Sequence, residues 1–290
     1  MAGMGKRLRE LLAGDRIVVK VGAYDGLTAK LVEQAGFDAV GITGLGVCAT
    51  LGKPDVGVAT MSEMVERAKY IVDSVNIPVL ADGDTGYGNA LNVYRTIQEF
   101  GKAGVAMIMI EDQASPKKCG SMKGKEVIPI REMVGKIKAA TDARRDPDLM
   151  ILARTDAVDV LGREAALERA KAYEEAGADA VIVMSPGTED DMRRLNKLLK
   201  VPSFVTMGET EIWVRKNRLR SPQELQEIGF KAVSYPTSIL YYTAKCIKDL
   251  LAQIKKKGLT EELVSQMMHF TDLTDLLGLP GYYEQEKKYL

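Results

Sequence analysis

The chain has 290 residues, with 40 basic and 40 acidic side chains. That balance excludes the strong positive field expected of a nucleic-acid binder or of a protein held on an anionic membrane. A hydrophobic share of 46% and a charged share of 28% describe an ordinary globular chain, and this length suits a single large α/β barrel.

The opening stretch, MAGMGKRLRELLAG, is too charged for a signal peptide and is expected to form an N-terminal helix. No later run approaches the ~20 apolar residues of a membrane span. The expectation is a cytoplasmic protein with no membrane partner. Eight short apolar, β-branched runs then follow in order: RIVVKV, AVGIT, PVLAD, AMIMIED, LMILAR, AVIVM, SFVTM and KAVSYP. They are nearly continuous in apolar character, as strands covered on both faces must be. Amphipathic helical segments such as SEMVERAKYIVDSV and REAALERAKAYEEAG separate them. Gly36, Gly104, Gly177 and Gly229 stand where helices should end in a left-handed cap. Proline precedes the third, fifth and seventh runs and stops the helix before each. Eight alternations predict a (β/α)8 TIM-type barrel over residues 1–257, N-terminal helix included. Residues 258–290 read as an appended helical segment that needs a partner subunit to cover its apolar side chains.

A barrel carries its chemistry where strands end and the βα loops begin. Those ends read Tyr24-Asp25, Thr43-Gly44, Asp82-Gly83-Asp84, Glu111-Asp112, Arg154-Thr155-Asp156, Met184-Ser185, Thr206-Met207 and Tyr235-Pro236. Asp82 and Asp84, two apart in an extended chain, should face the same way. With Glu111 they offer hard oxygen ligands and no nitrogen or sulfur, a set that suits Mg²⁺ or Mn²⁺. The alternative is that they cap the next helix or organise the Gly86–Gly88 turn. Arg154 is either a clamp for a substrate carboxylate or the partner of Asp156 in a structural ion pair.

The loop after the fourth strand, EDQASPKKCGSMKGKEVIP, is too long for an ordinary βα connection and reads as a lid. It holds Cys119 among Lys117, Lys118, Lys123 and Lys125. Such cationic surroundings are expected to lower the thiol pKa. The three cysteines form no CxxC pair, which fits a reducing compartment. Cys48 and Cys246 are expected to be small core residues. With His269 as the single histidine, a Ser-His-Asp triad has little to draw on.

The segments ITGLGV, LGKPDVG, LADGDTGYGNALNVYRT, IEDQASPKKCGSMKGK, REMVGKIKAA and LARTDA, in this order, resemble the isocitrate lyase / phosphoenolpyruvate mutase superfamily, especially its short methylisocitrate lyase-like and dimethylmalate lyase-like members. The resemblance implies a modified barrel whose last helix is exchanged between subunits of a homotetramer. It implies Mg²⁺ at Asp82 and Asp84, supported mostly through water by Asp55 and Glu111. It places the substrate's 2-oxo-acid end on Thr43, Gly44 and Leu45, and assigns Arg154 to the reacting oxyanion. Cys119 becomes the catalytic cysteine of the lid, with Lys117 beside it as a further catalytic candidate. Tyr24, Gly120, Ser121, Ser185 and Thr206 complete the expected substrate-binding set.

Three positions depart from the family pattern. Ser121 replaces a usual histidine, Ser185 a glutamate and Thr206 an asparagine. The reading that follows is a Mg²⁺-dependent carbon–carbon lyase that cleaves a malate-type 2-hydroxy dicarboxylate to a 2-oxo acid and a carboxylic acid. The alternatives are a methylisocitrate lyase, a phosphonomutase or phosphonopyruvate hydrolase related to carboxyphosphonoenolpyruvate mutase, and a barrel that has lost catalysis. Phosphonomutase-type relatives tend to carry asparagine where Cys119 stands.

Overall fold

The computed structural model describes residues 3–216 and 218–290. Met1 and Ala2 of the N-terminal segment, and Asn217, lie outside the described residues. The eight expected strands are β1 (Val18–Ala23), β2 (Ala39–Ile42), β3 (Val79–Asp82), β4 (Met107–Glu111), β5 (Met150–Thr155), β6 (Ala180–Val183), β7 (Ser203–Thr206) and β8 (Ala232–Tyr235). Each pairs in parallel with the next, and β8 closes on β1 with Lys20 opposite Ser234.

The barrel forms because its strands have no face that tolerates water. Every residue of β2, β5 and β6 is buried. Inside, Val18, Ala39, Leu80, Met107, Leu152, Ile182, Phe204 and Ala232 belong to one cluster. Leu8 and Leu12 of the helix Met4–Ala13 join it where strands begin, so that end of the barrel is closed by apolar packing. The opposite end is left for polar side chains. The connections follow local chemistry. Gly36, Gly104, Gly177 and Gly229 all have positive φ, between 79° and 115°, a region that costs glycine little. Asp25, Thr60, Thr188 and Ser221 each start a helix through a capping box.

The chain groups into two compact units, Met1–Ser238 and Ile239–Leu290. The helix Ser238–Lys257 has no buried residue and groups with the second unit. That unit continues through a 3₁₀ turn, Glu261–Gln266, and the helices Phe270–Leu276 and Leu279–Glu286. Cys246 is exposed on the long helix, so its expected core role is wrong. His269 is the N-cap residue of Phe270–Leu276, without a side-chain cap bond.

One buried carboxylate fixes the top of β4 against β5. Asp112, fully buried, accepts hydrogen bonds from the Thr155 hydroxyl at 2.7 Å, the Asp156 amide at 3.0 Å, the Tyr173 hydroxyl at 2.7 Å and Arg169 at 3.0 Å. Asp112→Ala would leave Arg169 buried without its partner. The expected loss of stability is about 3–5 kcal/mol, measured by urea denaturation at unchanged m-value. A loss below about 1 kcal/mol would show that water takes the place of the carboxylate.

Candidate active site at the barrel mouth

The structure gathers the acids of β3 and β4, the arginine of β5 and the lid loop at one place. Asp82 ends β3. Its carboxylate accepts from the Gly44 amide at 3.3 Å and from the Asp84 amide at 3.0 Å. Asp84 itself is not extended, as its spacing from Asp82 suggested. It has left the strand with φ 47°, a left-handed turn that aspartate tolerates. Its carboxylate still joins the cluster, held at 2.7 Å by Lys117. The alternative helix-capping role is not seen: Asn89 caps the next helix.

Lys117 comes from the lid and is nearly fully buried. Its ammonium lies 2.5 Å from Asp55 and 2.7 Å from Asp84, bridging them. Burial opposes its charge, but Asp84, Asp82, Glu111 and Asp55 outweigh burial and hold the ammonium in its charged form. Asp84 behaves differently. Burial first, then the like charge of Asp82, push it up to about 7, although Lys117 pulls it down. One ammonium shared between two carboxylates does not offset the desolvation of both.

Arg154 makes the ion pair that spacing left open beside a substrate clamp. It grips Asp156 through two nitrogens, at 2.7 and 3.0 Å, and reaches Glu111 at 3.1 Å. Burial acts against the Asp156 charge, yet Arg154 and Lys125 overcome it and hold this carboxyl below its usual range. Glu111 is raised well above the usual range, by burial, with Arg154 as partial compensation. One Glu111 oxygen, Oε1, is buried without a hydrogen bond, as is the Tyr87 hydroxyl.

These orphaned atoms and the raised carboxyl groups mark a place short of positive charge. The chemistry of the donors fits a hard divalent cation. Among the described residues, however, no three acidic, histidine or cysteine side chains group closely enough to enclose a metal alone. Direct ligation by Asp82, Asp84 and Glu111 together is therefore not supported, because Lys117 and Arg154 already hold Asp84 and Glu111. The residues fit Mg²⁺ held by one or two carboxylates and reached by the others through water, its usual preference.

The lid is ordered by its own hydrogen bonds. The Gln113 side chain donates to the Lys118 carbonyl and accepts from its amide, both at 3.0 Å. A single antiparallel bridge joins Gln113 and Val127. The Cys119 amide donates to the Asp55 carbonyl at 3.1 Å, which ties the loop to the acid cluster. Gly120 lies against Arg154, where an added Cβ would stand 3.0 Å from the guanidinium. The Cys119 thiol is not acidified as its sequence neighbours suggested. Burial pushes it up, and Arg154 and Lys117 only partly counter this. Lys118 turns to the Gly124 carbonyl, and Lys125 donates to Gly120, Asp156 and Asp159. The thiol is thus protonated near neutral pH. Cys48 is buried, but it borders the site: its sulfur lies 3.8 Å from Asp55, and burial pushes its pKa up to about 11.

Tyr24 and Thr43 are buried, and Leu45 is half-buried beside Gly44 at the start of the helix Gly44–Thr50. Ser121 and Ser185 lie further out. They line a cleft of about 490 Å³ with Gly120, Lys125, Asp159 and Trp213. The Ser121 hydroxyl is 3.1 Å from Thr210, and the Ser185 hydroxyl donates to Asp159 at 3.3 Å. Thr206 ends β7 and does not line this cleft. Sequence reading missed Tyr87, Asp159 and Lys20. Lys20 lies inside the barrel, where desolvation lowers its pKa to about 8 against the pull of Asp82. Its only signal was a lysine within the apolar run RIVVKV.

Fold and mouth together define a barrel protein built to hold a small anionic ligand among buried acids, buried cations and an ordered loop. The family model of phosphoenolpyruvate phosphomutase matches residues 8–255, and the chain belongs to that family. It is 46% identical over 284 residues to 2,3-dimethylmalate lyase of Eubacterium barkeri, covering 98% of this chain and 97% of that one. A solved 2,3-dimethylmalate lyase, described as a PEP mutase/isocitrate lyase superfamily member, superposes with a TM-score of 0.92 at 31% identity, over 100% of this chain and 96% of that one. A phosphonopyruvate hydrolase solved with oxalate and Mg²⁺ gives a TM-score of 0.88 at 30% identity, over 99% of both chains.

Proposed function

We propose that this protein is a Mg²⁺-dependent carbon–carbon lyase that cleaves a malate-type 2-hydroxy dicarboxylate, such as a methylated malate, into a 2-oxo acid and a carboxylic acid. The observation that carries the reading is the half-buried Cys119 tied by its amide to Asp55 of the acid cluster, next to Gly120 packed on Arg154, in a chain 46% identical to a dimethylmalate lyase. When bound, Mg²⁺ supplies positive charge beside the substrate's 2-oxygen, with Mn²⁺ as a substitute. Asp82 and Asp84 hold the cation's side of the site, with Asp55 and Glu111 behind them. Thr43, Gly44 and Leu45 orient the 2-oxo-acid end. A base takes the hydroxyl proton, the C–C bond breaks, and its electron pair remains on the departing acid as an enediolate. Arg154 stabilises that charge. Cys119 gives its proton to the carbanionic carbon, and the lid, pinned by Lys117, keeps water out.

The phosphonomutase and hydrolase reading is second, because Cys119 stands where those relatives tend to carry asparagine. The decayed-barrel reading has against it an assembled cluster of acids, cations and thiol. Two further parts of the proposal concern assembly and place. The C-terminal unit exposes Phe270, Tyr282 and Tyr283, which supports a homotetramer of helix-swapped pairs. Among the described residues no helix is long and apolar enough to cross a membrane, which supports a cytoplasmic enzyme.

Three outcomes test the reading. Chelation should abolish turnover and leave the barrel's circular dichroism unchanged, since the acids belong to the mouth and the core closes the other end. Normal turnover after chelation would remove the metal from the mechanism. Cys119→Ser should lower kcat by a factor on the order of 10² or more, and a near-normal rate would reduce Cys119 to a loop residue. The third outcome concerns substrate size. Ser121 and Ser185 offer hydroxyls in the outer cleft, where a tricarboxylate needs charged or amide partners. Lys125 is committed to Asp156 and Asp159, and Lys123 is exposed at the rim, where an ion pair contributes little. The kcat/KM for 2,3-dimethylmalate should therefore exceed that for methylisocitrate, measured with Mg²⁺ by product NMR. An equal or higher value for methylisocitrate would refute the assignment of malate-type specificity.

A further inference from the structure

Lys20 differs from every other cation near the acid cluster. It follows Val18 of the interior cluster by two residues on β1, so strand alternation turns it into the barrel. Its stem runs along Gly41: a Cβ there would meet the lysine Cδ and Cε at 3.0 Å, tighter than packed side chains normally allow. Glycine at 41 gives the lysine its path. The charges acting on it are Asp82 and Arg154, both residues of the mouth.

The other buried cations are committed. Lys117 bridges Asp55 and Asp84, Arg154 holds Asp156 and Glu111, and Lys125 holds Asp156 and Asp159. No hydrogen bond or ion pair engages the Lys20 ammonium among the described residues. Asp82, the acid that acts on it, already accepts from the amides of Gly44 and Asp84. Lys20 is also only partly exposed, so water compensates its charge incompletely. An anion entering from the mouth would relieve that deficit.

We infer that Lys20 is a specificity-determining residue at the floor of the site, where its ammonium takes one carboxylate of a dicarboxylate ligand. The inference rests on the proposed small-carboxylate site and names the group that distinguishes two carboxylates from one. It adds an inner determinant to the outer ones at 121 and 185. A monocarboxylate held by its 2-hydroxy-acid end at Thr43, Gly44 and Leu45 would gain nothing from Lys20. A dicarboxylate would gain a charge-assisted hydrogen bond in a partly enclosed place.

The test is calorimetric binding of malate and lactate, which share the 2-hydroxy acid end and differ by one carboxylate, to the full chain with Mg²⁺. Wild type should bind malate more tightly than lactate. Lys20→Met should weaken malate about 10-fold or more and leave lactate within about 2-fold. Lys20→Gln, a polar replacement, serves if the methionine variant fails to fold, with thermal melting as the control. Equal loss for both ligands would mean that Lys20 acts only through Asp82, and no loss would mean that it touches no ligand. Either result, or failure of wild type to bind malate, overturns the inference. Lys20-dependent malate binding without cleavage of any malate would leave the inference standing and bring down the lyase reading instead.

Discussion

The structure depends on the cost of burying carboxylates together. Asp55, Asp84, Glu111 and Asp156 are all nearly or fully withdrawn from solvent at one end of the barrel, with Asp82 beside them. Their mutual repulsion and desolvation would expel them to the surface if nothing offset them. Lys117 and Lys125 come from the lid and Arg154 from β5, so two of the three engaged cations arrive with the loop. The same contacts therefore hold the loop at the mouth and neutralise the site. They still leave Asp84 raised to about 7 and an orphaned Glu111 oxygen, a remaining deficit of positive charge that suits a hydrated divalent ion.

This coupling explains the position of the thiol. A cysteine in a solvated basic loop would be acidified, as its sequence neighbours suggest. Here the neighbours are used elsewhere: Lys118 on a loop carbonyl, Lys125 on Asp156, Lys117 on Asp55 and Asp84. What remains for Cys119 is burial, which keeps the proton on sulfur. A protonated thiol among anions is the state that the proposed proton donor needs before a carbanion appears.

Much of the fold was legible because barrel strands are covered on both sides and read as apolar runs, with glycine and proline punctuation at fixed places. All eight strands fall within about two residues of those runs. The acids and Arg154 were legible because strand ends are where a barrel puts its chemistry. What could not be read depends on contacts distant in sequence. The Asp84 turn, the commitment of the lid lysines and the direction of the thiol shift all arise between segments that the chain order separates. Lys20 was hidden for the opposite reason: one charge inside an apolar run looks like a strand-edge residue until closure of the barrel puts it inside. The amphipathic pattern of Ser238–Lys257 looks like any barrel helix, whereas the structure buries none of it.

On the proposed reading the site has two tiers of recognition with different physics. The outer tier at Ser121 and Ser185 is made of hydroxyls already paired with Thr210 and Asp159. Groups of that kind reject an extra carboxylate weakly by contact and strongly by leaving it without a partner. The inner tier is ionic and enclosed; Lys117, Arg154 and Lys125 are paired with carboxylates there, and among the described residues Lys20 is not. A ligand that completes this balance gains more from the inner tier than the outer hydroxyls can supply, because screening falls with enclosure. A compact dicarboxylate places its charges low, where the unpaired cation lies. A larger tricarboxylate would have to leave one charge among the outer hydroxyls. Small size and full charge thus select together, through the single question of which carboxylates find a buried partner.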